Sequence, residues 1–343
     1  VTENLIKAGA TGIGSMPGTD VAEAVRTVFG ELELPHVPEL PARGVGSDLI
    51  GRTAAMLVDL PTEVVPSGYR VTARPGRDTR RGLDLLERDL DTVHELGGSP
   101  RQVKVQLAGP WTLTAGIELP RGQRVLTDHG ALREFTASLI EGMRAHLAEV
   151  VRRTEAEVLV QIDEPSLPFV LAGGLATPSG YGKLPAVAEP EVRALLAEVL
   201  EAARAASGNP VIVHCCAPLS GTLAVPVEVL HRAGAGALAL DVTGFAKASA
   251  TVSDALGEAI EDGLALLLGL VPSTGQGGEL RSLAAPALEL VDRLGFDRAL
   301  LAERCVVTPS CGLAGARPAE APAILRRCTE LAAAFTEPPE SWA

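Results

Sequence analysis

Residues 210–216 read PVIVHCC, an apolar run that stops abruptly on His214, Cys215 and Cys216. A short, β-branched run without polar alternation is what a parallel strand covered on both faces requires. Seven further segments read the same way: 12–16, 35–40, 103–110, 158–165, 237–243, 265–273 and 305–311. Amphipathic helices are expected between them. Over 80–96, Leu83, Leu86, Leu90 and Val93 repeat at helical spacing ahead of Gly97, and 131–155 and 191–207 have the same character. Strands alternating with helices predict an α/β fold, a (β/α)8 TIM barrel, with residues 1–343 forming a single domain. A doubly wound open sheet is the rival architecture.

The composition narrows the function. With 46% hydrophobic residues over 343 positions, a large core is available. Thirty basic against 43 acidic side chains give a formal net charge of -13, which disfavours nucleic acid and anionic membrane as partners and leaves small-molecule chemistry. The apolar runs are too short to span a bilayer, and the opening VTENLIKAGA lacks the pattern of a signal peptide, so a cytoplasmic location is expected. Five irregularly spaced cysteines do not suggest a disulfide framework. Lys7, Lys104, Lys183 and Lys247 are the lysines, and none ends an apolar run, which argues against Schiff-base chemistry. Two long loops are expected, an arginine-rich one at 70–81 and another at 176–188 carrying Gly180, Tyr181 and Gly182, either of them a lid or plain surface.

Barrel enzymes carry their chemistry at the carboxyl ends of the strands. Those ends hold Ser15, Glu39, Trp111, Asp163 with Glu164, His214 with Cys216, Asp241, and Cys311. Alone, His214 reads equally as a hydrogen-bonded core residue and Cys216 as a small apolar one. Joined by Asp241 and Cys311, they make a set of four ligands suited to Zn2+. Two thiolates and a carboxylate leave such a centre negatively charged and a poor Lewis acid, yet able to keep an incoming thiol deprotonated well below its usual pKa of about 8.5. Thiol alkylation is the matching reaction. Four protein ligands also close the coordination sphere, so either Asp241, the hardest ligand, leaves when substrate arrives, or the metal expands its sphere, or the ion is only a structural staple.

Four motifs sharpen this reading: Ile13-Gly14-Ser15-Met16-Pro17, Gln161-Ile162-Asp163-Glu164-Pro165, His214-Cys215-Cys216 and Pro309-Ser310-Cys311-Gly312-Leu313. Together they resemble the C-terminal catalytic barrel of cobalamin-independent methionine synthases, a fold similar to uroporphyrinogen decarboxylase and the zinc methyltransferases of methanogens. The resemblance implies methyl transfer to homocysteine. Ile13, Gly14 and Ser15 would hold the substrate carboxylate, while Asp163 and Glu39 would meet its ammonium. Asp163 and Asp241 are the candidate catalytic carboxylates, and Trp111 is a candidate for stacking on the methyl donor.

The chain also departs from the family pattern. Asp241 stands where a glutamate ligand is usual, and Trp111 is displaced from the usual tryptophan position. Ser166-Leu167-Pro168-Phe169 replaces the Arg-Glu that follows the acidic motif, and 266–273 carries no histidine. These differences open the donor to a methyl-corrinoid protein as well as methyltetrahydrofolate. Two other readings stay open, a decarboxylase-like lyase and a zinc-stapled protein that binds a thiol amino acid.

Overall fold

The computed structural model describes residues 9–275 and 278–337. Lys7 and most of the opening segment read above lie outside the described residues. Among the described residues, nine strands occur in chain order: β1 (Thr62–Val65), β2 (Gly68–Val71), β3 (Gln102–Ala108), β4 (Ile117–Glu118), β5 (Glu157–Asp163), β6 (Ile212–His214), β7 (Ala237–Asp241), β8 (Ala265–Val271) and β9 (Cys305–Pro309). Six of them, β3-β5-β6-β7-β8-β9, form one sheet in that order, and every neighbouring pair is parallel. The result is a mixed α/β fold with a curled parallel sheet, consistent with a TIM-like barrel.

Regular strand thus occupies six of the eight expected positions. Segments 12–16 and 35–40 form no regular ladder, and their strand-type pairing is limited to isolated bridges: Ala10 to Val307 just before the first, Ser15 to Glu39, and His36 to Lys104. Prolines explain the difference, because Pro17, Pro35, Pro38 and Pro41 have no N–H to donate to a ladder. The bonds that remain are well placed. Thr11 N donates to the Val307 carbonyl at 3.0 Å, Met16 N to that of Glu39 at 2.7 Å, and Val37 N to that of Lys104 at 2.9 Å. The two segments therefore link the last strand of the sheet to its first.

Side chains alternate between two cores, as the two-residue strand period demands. Val158, Val160, Ile162, Val211, Val213, Leu238, Leu240, Leu266 and Leu268 belong to the large core under the helices. Leu159, Ile212, Ala237, Ala239, Ala265, Leu267 and Val306 belong to a small cluster that Ile13 and Leu34 join. By parity, Gln161, Asp163, His214 and Asp241 share the face of the small cluster.

The long helices run over Arg77–Leu96, His129–Thr154 and Glu189–Ser207, each beginning two or three residues before the periodicity indicates. Capping draws one start forward, since Asp128 accepts hydrogen bonds from the N–H groups of Gly130 and Ala131. The expected loop 70–81 is largely ordered instead. Arg70 lies in β2, paired antiparallel with β1, and a helix begins at Arg77. In 176–188 one bridge, Ala176 to Lys183, closes a turn whose Tyr181 is fully exposed. Among the described residues, no helix is long and apolar enough to cross a membrane.

Candidate active site

A cavity of about 280 Å3 opens where the carboxyl ends of β5, β6 and β9 meet segments 12–16 and 35–40. Ile13, Gly14, Ser15, Glu39, Asp163, His214, Cys216 and Cys311 line it together, although they come from opposite ends of the chain. Close approach of backbone makes this possible. A Cβ on Gly312 would lie 2.1 Å from Ser15 Oγ, and one on Gly14 would lie 2.7 Å from Gln106 Cγ. Leu313 N also donates to the Ser15 carbonyl at 2.8 Å, which docks the Cys311 loop on the first segment.

One side of the cavity carries sulfur and imidazole. His214 Nδ1 lies 2.8 Å from Asp163 Oδ1, while its Nε2 is buried without a hydrogen-bond partner. Cys216 and Cys311 are the exposed thiols of the chain, and Cys215, Cys305 and Cys328 are buried. The hydrogen bond from Cys216 holds Cys311 down at about 6, helped by His214, and the same pairing pushes Cys216 up. Asp241 stands next along the sheet and is close enough to act electrostatically on Cys311. Its Oδ1 is engaged locally, accepting from Thr243 N at 3.0 Å and Thr243 Oγ1 at 2.6 Å.

Buried acids line the same cavity. Glu39 is buried, and burial lifts its carboxyl to about 7, with Arg52 opposing and Asp163 adding to the shift. Arg52 Nε stops 3.8 Å from Glu39 Oε1, because Arg52 Nη1 is held by Asp89 at 2.6 Å and Arg43 grips the same carboxylate. Glu39 Oε1 is left with no hydrogen bond. A buried carboxylate with an open oxygen is a receptor for a cation.

Glu164 and Trp111 serve the frame. Glu164 accepts from the N–H groups of Trp111 and Thr112 at 3.0 and 2.8 Å and from Thr112 Oγ1 at 2.7 Å, capping helix Pro110–Gly116. Trp111 has no exposed surface, donates from Nε1 to the Val192 carbonyl at 3.0 Å, and stands apart from the cavity lining.

The sequence reading names Lys104 and Gln161 but assigns neither a place at the site. Lys104 is fully buried and donates to the Ile13 carbonyl at 3.0 Å and to Gln161 Oε1 at 2.7 Å. Gln161 Nε2 donates in turn to the Ile13 carbonyl and to Asp163 Oδ1, both at 2.8 Å. A signal was available in the two-residue spacing of Lys104 and Gln106 in β3 and of Gln161 and Asp163 in β5, which marks polar residues on one face of otherwise apolar strands.

Among the described residues, no group of three or more His, Cys, Asp and Glu side chains is arranged to hold a metal ion as it stands. The chemistry of the donors nevertheless fits zinc: an imidazole nitrogen buried without a partner, its other nitrogen set on a carboxylate, and two thiols in contact.

Thiols, an imidazole and buried acids gathered in one cavity at the carboxyl ends of a parallel sheet mark an α/β enzyme. The model for "Cobalamin-independent synthase, Catalytic domain" matches residues 8–334, and the chain belongs to that family of methionine synthase-type methyltransferases. A B12-independent methionine synthase from Shewanella sp. W3-18-1, solved in complex with selenomethionine, is similar in fold. It is 12% identical with a TM-score of 0.62, and the match covers 97% of this chain and 98% of that one. A methyltransferase from Methanosarcina mazei is 14% identical with a TM-score of 0.58, covering 97% and 96%. No curated protein sequence matches the chain.

Proposed function

We propose that this protein is a zinc-dependent methyltransferase that moves a methyl group onto the thiol of homocysteine to give methionine. The observation that carries the reading is the gathering of His214, Cys216 and Cys311 with Glu39 and Asp163 around one small cavity. A thiol amino acid is a short molecule with sulfur at one end and an ammonium and a carboxylate at the other, and the cavity offers a partner to each group.

His214, Cys216 and Cys311 would hold the zinc, with Asp241 as fourth ligand once it releases Thr243. Bound zinc supplies the means of keeping the substrate sulfur deprotonated and nucleophilic near neutral pH. Glu39 and Asp163 receive the ammonium, which also draws the Glu39 carboxyl into its charged form. The backbone of Ile13 and Gly14 and the hydroxyl of Ser15 receive the carboxylate. Residues that fix the ammonium and carboxylate would orient the thiol toward the methyl carbon, and positioning would supply much of the rate. Segments 12–16 and 35–40 complete a single (β/α)8 barrel in this reading, which places recognition on two of its strand ends. The donor is methyltetrahydrofolate or a methyl-corrinoid protein, and a soluble cytoplasmic setting suits either.

The test is direct. Purified protein is loaded with zinc and given homocysteine with, in separate arms, methyltetrahydrofolate, its polyglutamate and methylcobalamin, and methionine is measured. About one zinc per chain and product in at least one arm are expected. Equal turnover by zinc-free protein would sink the proposal.

A further inference from the structure

Four polar side chains run in line along the inner face of the sheet, and the chemistry of the first orients the rest. The Lys104 ammonium has donors only, so the amide of Gln161 must present its oxygen to it, at 2.7 Å. The amide nitrogen then points the other way and donates to Asp163 Oδ1 at 2.8 Å. His214 Nδ1 meets that same oxygen at 2.8 Å. An ionised carboxylate only accepts, so Nδ1 carries the proton and Nε2 keeps its lone pair, the form of imidazole a metal requires. The Ile13 carbonyl takes a second bond from each of the first two members, Lys104 at 3.0 Å and Gln161 at 2.8 Å.

We infer that Lys104 is a positioning residue: through the amide of Gln161 it keeps Asp163 on Nδ1 of His214 and so fixes the tautomer that offers Nε2, while clamping segment 12–16 at the Ile13 carbonyl. A buried ammonium is costly, and a methionine would fill the same space without that cost. What a methionine cannot do is anchor the oxygen of that amide. With a neutral side chain at 104, Gln161 Oε1 is left buried without its donor, and the amide keeps its place only through the bonds of Nε2 to Asp163 and the Ile13 carbonyl. The donor to the carboxylate is then held less firmly, which loosens the carboxylate against His214, and segment 12–16, which has few ladder bonds of its own, loses the Lys104 clamp on the Ile13 carbonyl. The metal part of this inference rests on the proposed role of His214, whereas the tautomer part stands without it.

The test reads the imidazole nitrogens of the zinc-free protein by 15N NMR, with the His214 signal assigned by its loss in His214→Ala, and zinc affinity by competition with a chelator. The native protein is expected to hold His214 with its proton on Nδ1. Lys104→Met should show a mixture of tautomers and bind zinc about tenfold or more weakly, the usual effect of losing support behind a ligand. Lys104→Arg, also a pure donor, should keep both properties. Gln161→Met should reproduce the Lys104→Met result and serves where that variant does not fold. Folded Lys104→Met or Gln161→Met with unchanged tautomer and affinity overturns the inference, as does a native protein with the proton on Nε2. A tautomer shift in a protein that never binds zinc upholds the positioning role and discards the metal reading.

Discussion

The two sides of the cavity are built differently. His214, Cys216 and Cys311 sit at or just past the ends of β6 and β9, where the ladder of the sheet fixes the backbone. Ile13, Gly14, Ser15 and Glu39 sit on segments tied in by isolated bridges and held from behind by Lys104, Gln161 and Arg52. The contrast suggests a division of labour in which the sheet fixes the reactive groups and a buried polar scaffold tunes recognition. Changes on the first side should then abolish chemistry, and changes on the second should alter affinity. Cys216→Ser and Cys311→Ser give the harshest test. Each should lower zinc affinity by more than about 100-fold, beyond the effect of outer-shell changes, and take methyl transfer with it. A serine variant that retained zinc and altered only KM would erase the distinction.

Glu39→Gln probes the other side. A hydrogen bond to a charged group contributes about 1.5–3 kcal/mol, which corresponds to a rise of about 10- to 100-fold in KM for homocysteine, with kcat little changed. The pH dependence has a definite sign. Burial places the Glu39 carboxyl at about 7, so it is neutral below that value and charged above it. Homocysteine should therefore bind more tightly as pH rises through about 7. The glutamine variant should lack this component, which separates it from ionisation of the thiol. Equal pH profiles for the two proteins would remove Glu39 from recognition.

The same contrast decides what could be read from the chain. The reactive side was legible because each of its residues ends a continuous apolar run, and buried parallel strands announce themselves in that way. The six regular strands were found within one or two residues for the same reason, although 210–216 shortened to Ile212–His214, past which only Cys215 N continues the pairing, to the Ala239 carbonyl. The partners of Lys104 and Arg52 were not legible. Lys104 finds its partners 91 and 57 residues away, and the salt bridges of Arg52 reach back to Glu39 and forward to Asp89, contacts that no local pattern encodes. The β1–β2 hairpin was missed because TEVV and GYRV mix charged and apolar residues, and the arginines around it suggested a loop.

Two buried glutamates refine the comparison. Burial lifts Glu39 and Glu164 alike to about 7, yet Glu164 accepts three hydrogen bonds at a helix start while Glu39 Oε1 accepts none. Glu164→Ala should cost about 1–3 kcal/mol in stability by stranding the donors it caps, and leave KM for homocysteine unchanged. A raised carboxyl also links stability to pH. The folded state binds the Glu164 proton more tightly than the unfolded state, so this contribution is complete below about 4.5 and is lost as pH rises through about 7. Urea unfolding at several pH values should show a shallower decline in Glu164→Gln. An unaltered slope would mean that the carboxyl titrates normally in its pocket.

Trp111→Phe carries the smallest expected effect and settles which side of the division that residue belongs to. The indole has no exposed surface, and its Nε1 bond to the Val192 carbonyl joins helix Pro110–Gly116 to helix Glu189–Ser207. Phenylalanine retains an aromatic ring and loses that bond, so about 1 kcal/mol of stability should disappear in denaturant titrations. KM for the methyl donor should stay the same, because a ring enclosed by the frame has no face to offer a ligand. A several-fold rise in donor KM without loss of stability would mean that the cavity opens toward Trp111 when the donor binds, and would move this residue from the frame to the recognition side.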